Sequence, residues 1–150
     1  MTREGQTQTA ASPFSLDGKV AIVTGSSRGI GRASAEAMAR LGAKVVISSR
    51  KAESCEAVAR DIRQDGGEAA VIPCNVSRKA EVEALVAGTL RSHGRIDVLV
   101  CNAAVNPVYG PLGELSDEAF DKVMSTNVKS NLWLCNLVIP VMAEIGRAHV

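Results

Sequence analysis

Short apolar runs alternate with longer amphipathic segments along residues 16–143. Four of these runs have the length of strands, and they cover residues 19–23, 45–47, 69–73 and 96–100. Each of the first three runs is followed by apolar residues three or four positions apart, a spacing typical of helices. The connections between these strands and helices are short, which favours parallel strands joined by right-handed crossovers. The pattern predicts an α/β fold of Rossmann type, with a doubly wound parallel sheet and helices on both of its faces.

Each of the three predicted helices has one apolar face. The first face is expected to consist of Ile30, Ala33, Ala37, Met38 and Leu41. The second consists of Cys55, Val58, Ala59 and Ile62, and the third of Val82, Leu85, Val86 and Leu90. Gly42 follows the first helix at the position where glycine commonly ends a helix, and Ser77 is available to cap the third. The fourth strand is apolar enough to be buried on both faces.

The turn at residues 24–31 has the clearest chemistry, because three glycines lie where the first strand must lead into the first helix. Glycine permits a tight turn and lets backbone N–H groups approach a phosphate, while the helix N-terminus adds roughly half a positive charge. The spacing Gly-x-x-x-Gly-x-Gly is neither Gly-x-Gly-x-x-Gly nor a P-loop. We interpret the turn as a pyrophosphate site, with a plain glycine-rich turn as the alternative. The predicted site comprises Gly25, Ser27, Arg28, Gly29, Ile30 and Gly31.

The residues after the second strand distinguish between two nucleotide cofactors. An acidic residue about 20 positions beyond the turn would bind a ribose 2′-hydroxyl and select NAD. The sequence has Ser49 and Arg50 in this region instead. A guanidinium pairs well with a 2′-phosphate, and Arg28 offers a second one. These residues predict NADP, with NAD less favoured; for each arginine the alternative is a solvated side chain in a loop.

Composition excludes several other classes of function. The chain has 150 residues, 46% of them hydrophobic, and a net charge of +1, which gives no basis for electrostatic binding of nucleic acid or of an acidic membrane. The four cysteines are scattered without the spacing of a metal site, so we expect reduced side chains that pack in the interior. There is no apolar stretch of membrane-spanning length and no recognisable signal peptide. We expect a cytoplasmic protein with a mobile N-terminal arm at residues 1–15.

Two of the motifs resemble those of the short-chain dehydrogenase/reductase family. The turn at 24–31 matches the cofactor loop of that family. The segment after the fourth strand, Asn102-Ala103-Ala104, resembles its Asn-Asn-Ala-Gly element. The resemblance runs from about residue 16 to residue 142 and looks closest to the NADP-preferring carbonyl-reductase branch. It implies that residues 102–104 line the nicotinamide-side ribose.

Two further positions carry the same resemblance. Asn75-Val76 lies where the family has Asp-Val beside the adenine ring. Asn127 resembles the asparagine of the catalytic tetrad, which would hold a water in the proton relay. The sequence also permits a plainer interpretation, because Asn127 shares a helical face with Phe120 and Met124 and could be an amide bonded locally.

The remaining catalytic residues of the family are not found in this chain. The family uses a serine and a Tyr-x-x-x-Lys pair, whereas the single tyrosine here, Tyr109, is followed four positions later by Gly113. Residues 144–150 resemble a translated sequencing adapter, which suggests a non-native tail on the N-terminal part of a longer protein; the alternative is a genuine C-terminal tail. We therefore expect residues 16–143 to be the first part of a dinucleotide-binding domain, truncated after the fourth strand and the long helix that follows it. Its fourth strand would be an unprotected apolar edge, so the fragment alone is expected to be poorly soluble.

For the parent protein, the resemblance implies an NADP(H)-dependent oxidoreductase that interconverts a carbonyl and a secondary alcohol. The expected partner is a small-molecule substrate, without nucleic acid or membrane, and the expected assembly is a homo-oligomer, either a tetramer or a dimer. The alternative is a non-catalytic NADP-binding protein of the same fold.

Overall fold

The computed structural model describes residues 13–146. Residues 1–12 of the predicted arm and residues 147–150 of the predicted tail lie outside the described residues. In chain order the elements are β1 (Val20–Thr24), α1 (Gly29–Arg40), β2 (Lys44–Ser48), α2 (Ala52–Gln64), β3 (Glu68–Val71), α3 (Lys79–His93), β4 (Val98–Val100), a 3-10 turn (Leu112–Glu114), α4 (Asp117–Met124), a π-helical segment (Ser125–Lys129) and α5 (Ser130–Glu144).

Within residues 13–146, four strands form one parallel sheet in the order β3-β2-β1-β4. The register pairs Thr24 of β1 with Ser48 of β2, and Val23 with Val100 of β4. Because every pairing is parallel, the carboxyl ends of all four strands lie at the same edge of the sheet. The sheet confirms the predicted α/β fold with a doubly wound parallel sheet.

Two hydrophobic cores cover the two faces of this sheet. Side chains alternate along each strand, so Val23 and Ile47 face one core while Ile22 and Val46 face the other. The first core is completed by α1 and α2, and the second by α3 and α5. The predicted apolar face of the second helix is buried, since Cys55, Val58, Ala59 and Ile62 all belong to the first core.

The prediction of which residues form the buried face of the first helix is wrong. Ile30 is 81% exposed, and Ala33, Ala37 and Leu41 are also exposed; only Met38 of that set is partly buried against the core. The residues that α1 buries are Gly31, Ala35 and Ala39. These small side chains let the helix approach the strands closely, so helical periodicity of the larger residues pointed to the wrong side.

Three smaller expectations also fail. β3 begins at Glu68 and ends at Val71, before the predicted end at residue 73. β4 is half-buried along its length and not covered on both faces, because it is an edge strand of this sheet, the position that was expected for it in this chain. Ser77 does not cap α3: the helix follows Arg78, without a hydrogen bond from a capping side chain.

In the part of the chain between residues 13 and 146, no helix combines the length and apolar character needed to cross a membrane.

Candidate functional site

A cleft of about 920 Å³ lies along the carboxyl edge of the sheet. Ligands of open α/β sheets bind at this edge, beyond the ends of the strands. The loops after all four strands contribute to the cleft, and one wall comes from α4 and the π-helical segment. The lining residues are Gly25, Ser27, Arg28, Gly29, Ile30, Ser49, Arg50, Lys51, Ser54, Cys74, Asn75, Val76, Ser77, Asn102, Ala103, Ala104, Val105, Lys122, Ser125 and Thr126.

Twelve of the thirteen predicted cofactor residues line this cleft, and the exception is Gly31, which lies behind it. A Cβ atom built on Gly31 would overlap the Asn102 amide nitrogen and come within 2.6 Å of the Gly25 carbonyl oxygen. Real Cβ atoms do not approach other atoms so closely, so this position accepts only glycine without a shift of the loop. Gly31 therefore sets how closely the start of α1 packs against the turn.

The glycine turn has the backbone conformation that its sequence predicts. Gly25 and Gly29 have φ values of +66° and +57°, in the left-handed region that other residues rarely adopt. The first helical hydrogen bond is donated by Arg32 N–H to the Arg28 carbonyl oxygen, at 3.3 Å. The preceding N–H groups have no capping side chain, and the first turn of α1 has no acidic residue. This helix end can therefore donate hydrogen bonds to an anion in the cleft.

Thr24 and Asn102 fasten the glycine turn to the loop after β4. The Thr24 hydroxyl accepts from the backbone N–H groups of Asn102 and Ala103, at 3.0 and 3.1 Å, and donates to the Val100 carbonyl oxygen at 3.2 Å. The Asn102 side-chain amide donates to the carbonyl oxygens of Thr24 and Gly25, at 3.0 and 3.3 Å. Asn102 thus holds the cleft floor in shape, and its amide nitrogen is committed to the protein backbone.

A second interlock joins the same turn to the end of β2. Ser26 is fully buried, and its hydroxyl donates to the Val23 carbonyl oxygen at 2.6 Å while accepting from Ser48 N–H at 2.8 Å. The backbone N–H of Ser26 donates to the Ser48 carbonyl oxygen at 3.1 Å. The turn is therefore held on both sides by neighbouring strands, independently of any ligand.

The charged residues that line the cleft are all cationic. They are Arg28, Arg50, Lys51 and Lys122. None of the four forms an ion pair with another residue between positions 13 and 146. The hydroxyl of Ser49 lies 3.1 Å from the Cys55 sulfur, while Arg50 and Lys51 bring the positive charge of the loop after β2 to the cleft. A cleft with four cations and no carboxylate in its described lining is suited to a polyanion.

The loop after β3 is shaped by Asn75 and Glu81. Asn75 Oδ1 accepts from Ser77 N–H at 3.2 Å, and Asn75 N–H donates to Glu81 Oε2 at 2.7 Å. The hydrogen bond from the Asn75 backbone, followed by that from Arg78, lowers the pKa of Glu81. Burial, followed by the charge of Glu81, raises the pKa of the Cys74 thiol to about 11, so that thiol is neutral near pH 7 and adds no negative charge to the cleft.

The helical wall meets the cleft at two points. The hydroxyls of Thr126 and Ser77 are 2.9 Å apart, which joins the wall to the loop after β3. The Asn127 side chain accepts from Val105 N–H at 2.8 Å and donates to the Val105 carbonyl oxygen at 2.9 Å, which joins it to the loop after β4. Asn127 lies in the π-helical segment, and irregular helical turns of this kind are frequent at functional sites.

Asn127, the predicted catalytic residue, does not line the cleft itself. Its side-chain amide is bonded to the backbone of Val105, 22 residues earlier in the chain, rather than locally, while its backbone carbonyl oxygen accepts from the Asn131 side chain at 2.8 Å. Tyr109 is 89% exposed and lies outside the cleft lining. The catalytic role of Asn127 stays a prediction.

Several lining residues were not predicted from the sequence. Lys51 and Ser54 follow β2, and Cys74 and Ser77 flank the predicted adenine contact, so their positions next to strand ends were a usable signal. The helical wall contributes Lys122 from α4 and Ser125 and Thr126 from the π-helical segment, all more than 40 residues after Ser77 in the sequence. Only the folded chain brings them to the cleft.

A metal site is not formed by the described residues, since residues 13–146 contain no group of three His, Cys, Asp or Glu side chains that could hold an ion. All four cysteines are free.

Comparison with known proteins places this geometry in a family. The family model described as short chain dehydrogenase matches residues 19–150. The chain belongs to the short-chain dehydrogenase family. This confirms the resemblance seen in the glycine turn and in the segment after the fourth strand.

Similar proteins extend this short-chain dehydrogenase assignment. Dehydrogenase/reductase SDR family member 4 of Oryctolagus cuniculus is 42% identical over 135 residues, covering 90% of this chain and 52% of that protein. A crystal structure of a metagenomic short-chain oxidoreductase (SDR) in complex with NADP is 41% identical, with a TM-score of 0.84 over 89% of this chain and 61% of the other. The hydroxysteroid dehydrogenase from Escherichia coli is 34% identical, with a TM-score of 0.83 over 89% and 56%. The chain spans about half the length of the curated relatives it matches.

Proposed function

We propose that the full-length protein is an NADP(H)-dependent oxidoreductase that interconverts a small-molecule carbonyl and its secondary alcohol by hydride transfer, as in the carbonyl-reductase branch of its family. The observation that carries this proposal is the cleft lined by four cations and no carboxylate, with Arg50 at the end of β2. Family membership supports the reaction type, and a similar short-chain oxidoreductase has been solved in complex with NADP. NADP(H), when bound, supplies or accepts the hydride.

The described residues fit a dinucleotide phosphate. The uncapped start of α1 suits the pyrophosphate, as do Gly25 and Gly29, which line the cleft and have positive φ values. Ser27, Arg28 and Ile30 flank the same place. Asn75 and Val76 border the adenine in this proposal, and residues 102–104 line the nicotinamide-side ribose.

Cofactor choice is assigned to the end of β2. A carboxylate there would repel a 2′-phosphate, whereas the guanidinium of Arg50 can form two parallel hydrogen bonds with one. Arg28 lies in the same cleft and adds a second guanidinium. This combination favours NADP over NAD.

Asn127 is proposed to act in proton delivery by holding the loop after β4 in place. Its two hydrogen bonds to the backbone of Val105 fix the chain next to residues 102–104. Hydride transfer to a carbonyl creates an alkoxide, which must receive a proton from a positioned donor. We assign that donor to the Tyr-x-x-x-Lys pair and serine expected in the remainder of the protein.

We also propose a cytoplasmic homo-oligomer, either a tetramer or a dimer. An apolar stripe along α4, the π-helical segment and α5 supports this assembly, since Phe120, Met124, Val128 and Leu132 are each between 41% and 57% exposed. Apolar stripes of this kind mark contacts with other chains or with further parts of the same chain.

The test measures dissociation constants of NADPH and NADH for the full-length protein and its Arg50→Gln variant, with Arg60→Gln as a control of equal charge change on the exposed side of α2. We expect Arg50→Gln to weaken NADPH binding about tenfold, or ~1.4 kcal/mol, and to change NADH binding less than twofold. Arg60→Gln should change neither.

Turnover is measured in the same preparation with a panel of small ketones and aldehydes. NADPH oxidation that requires a carbonyl supports the reductase. Tight NADPH binding without turnover on any of them would favour the non-catalytic alternative, and equal binding of NADH and NADPH would overturn the cofactor assignment.

A further inference from the structure

Lys122 is a cleft residue that no motif in the sequence identifies. It belongs to α4 and lies one helical turn before Thr126, which also lines the cleft. Thr126 in turn contacts Ser77 of the loop after β3. Lys122 is therefore on the helical wall, across the cleft from the glycine turn and beside its β3 end.

The charge of Lys122 is not balanced by any side chain the structure describes. Glu118 and Asp121 are its acidic neighbours on α4, but neither forms an ion pair with it. Glu118 is instead engaged at the start of the helix, where hydrogen bonds from its own backbone and from Ser116 lower its pKa. The ammonium group of Lys122 is thus available to a ligand.

Other lysines show how different this situation is. Lys44 pairs with Glu68 at 3.1 Å, and Lys79 approaches Glu83 at 3.9 Å. Lys129 belongs to the same helical run as Lys122, but its nitrogen lies 5.4 Å from the centre of the Trp133 ring and it does not line the cleft. Lys122 differs from these three lysines in facing the cleft without a partner.

Cations therefore approach the cleft from two sides. Arg28, Arg50 and Lys51 come from the loops after β1 and β2, while Lys122 comes from the helical wall. A ligand with several phosphates would lie between them. The four cations are exposed, so their attraction for such a ligand acts through solvent and is screened by salt.

We propose that Lys122 is a further specificity-determining residue of this site, which attracts the phosphorylated adenosine end of the cofactor from the helical wall and favours the 2′-phosphorylated form. The inference rests on the proposed function, because it needs a phosphorylated dinucleotide in the cleft. A 2′-phosphate adds about two negative charges near pH 7, so a cation in the cleft acts more strongly on NADPH than on NADH.

The experiment compares Lys122→Gln, Lys122→Arg and Lys129→Gln in the full-length protein. Lys129→Gln makes the same charge change on the same helical run, outside the cleft. Dissociation constants for NADPH and NADH are measured by titration calorimetry at low and at high salt. We expect Lys122→Gln to weaken NADPH binding about three- to tenfold at low salt and NADH binding less than twofold, with the difference reduced at high salt.

Lys122→Arg should retain wild-type affinity for NADPH, because it keeps the charge, and Lys129→Gln should have no effect on either cofactor. The proposal is overturned if Lys122→Gln behaves like Lys129→Gln, or if it weakens NADPH and NADH equally. Failure of the proposed function has a different signature, since the wild-type protein would then bind neither cofactor or would bind NADH as tightly as NADPH. If the wild-type protein bound neither cofactor, the proposal for Lys122 would be overturned as well.

Discussion

The glycine turn and the helical wall enclose the same cleft, but they are built in different ways. The turn is held by buried hydroxyls, those of Thr24 and Ser26, which each bond to the backbone of neighbouring segments. The wall is joined to the cleft by one contact between hydroxyls and by the Asn127 amide, and its outer side has an exposed apolar stripe. The turn is therefore complete within the described residues, whereas the wall retains surface for further contacts.

This difference corresponds to two tasks. A phosphate site must be preorganised, because its donors act by fixed position, and the turn meets that need with local contacts. The wall, which in our proposal brings Lys122 to the adenosine end of the cofactor, acts through charge and tolerates a looser attachment. The comparison predicts that changes in the turn will have larger effects than changes of similar size in the wall.

The largest effect is expected from Gly31→Ala. The added methyl would overlap the Gly25 carbonyl oxygen and the Asn102 amide, so the turn must shift away from the start of α1. We expect NADPH affinity of the full-length protein to fall about a hundredfold, or ~2.7 kcal/mol, with ~1–3 kcal/mol of lost stability. Calorimetric titration and chemical denaturation measure the two quantities.

Gly113→Ala is the matched control for that change, because nothing lies within 4 Å of a Cβ atom at Gly113. It should bind NADPH as the wild type does. If Gly31→Ala also retained wild-type affinity, the close packing of the turn would not control binding.

An intermediate effect is expected when the hydroxyl contacts of the two regions are removed. Thr24→Val keeps the shape of the side chain but leaves the N–H groups of Asn102 and Ala103 without their acceptor. We expect the free energy of unfolding to fall by about 2 kcal/mol, measured by urea denaturation. Ser77→Ala removes the contact with Thr126 at an exposed position, and we expect a loss of about 0.5 kcal/mol or less.

Thr24→Ser serves as the control, since it restores the hydroxyl and should recover most of the stability. Equal losses in Thr24→Val and Ser77→Ala would remove the distinction between a fastened turn and a loosely joined wall.

The smallest effect concerns the response of the β3 loop to acid. Because the folded-state pKa of Glu81 is lowered by the Asn75 N–H and then by Arg78, its stabilising contribution is present above the unfolded pKa of about 4.3 and is lost as the pH falls through the folded value. The free energy of unfolding, measured from pH 6 down to pH 3, should therefore decline less steeply in Glu81→Gln than in the wild type.

Glu83→Gln is the control for this titration. Glu83 lies on the exposed side of α3, 3.9 Å from Lys79, and no backbone group bonds to it among the described contacts. Its removal should leave the acid dependence unchanged, and a change equal to that of Glu81→Gln would show that general surface charge is responsible.

Local patterns were enough to predict the fold and much of the cleft. Apolar runs of strand length gave the four strands, and three glycines at the end of the first strand marked the turn. Residues directly after strands were found because parallel strands bring their carboxyl ends to one edge. Arg50 was assigned to the cleft from its position after the second strand, and Asn75 and Asn102 from the resemblance of their segments to the family.

The errors arose where close packing or distant contacts decide the outcome. The buried face of α1 consists of Gly31, Ala35 and Ala39, which carry almost no hydrophobic signal, so Ile30 was assigned to the core although it is exposed and lines the cleft. Ser77 was expected to cap α3, but its hydroxyl contacts Thr126, which is 49 residues away in the sequence. Lys122 reaches the cleft by the same long-range docking of α4.

Because the buried face of α1 consists of small residues, we expect changes there to affect how tightly a cofactor binds but not which cofactor is preferred. The small side chains at positions 31, 35 and 39 set the height of the helix above the sheet, and hence the depth of the phosphate site in front of it. A larger residue at Ala35, which touches no part of the cleft, would raise the whole helix and weaken the hold on NADP and NAD alike. Substitutions on the buried face of α1 would thus change the affinity for both cofactors, while in our proposal the distinction between the two depends on the cations of the cleft, Arg28, Arg50 and Lys122.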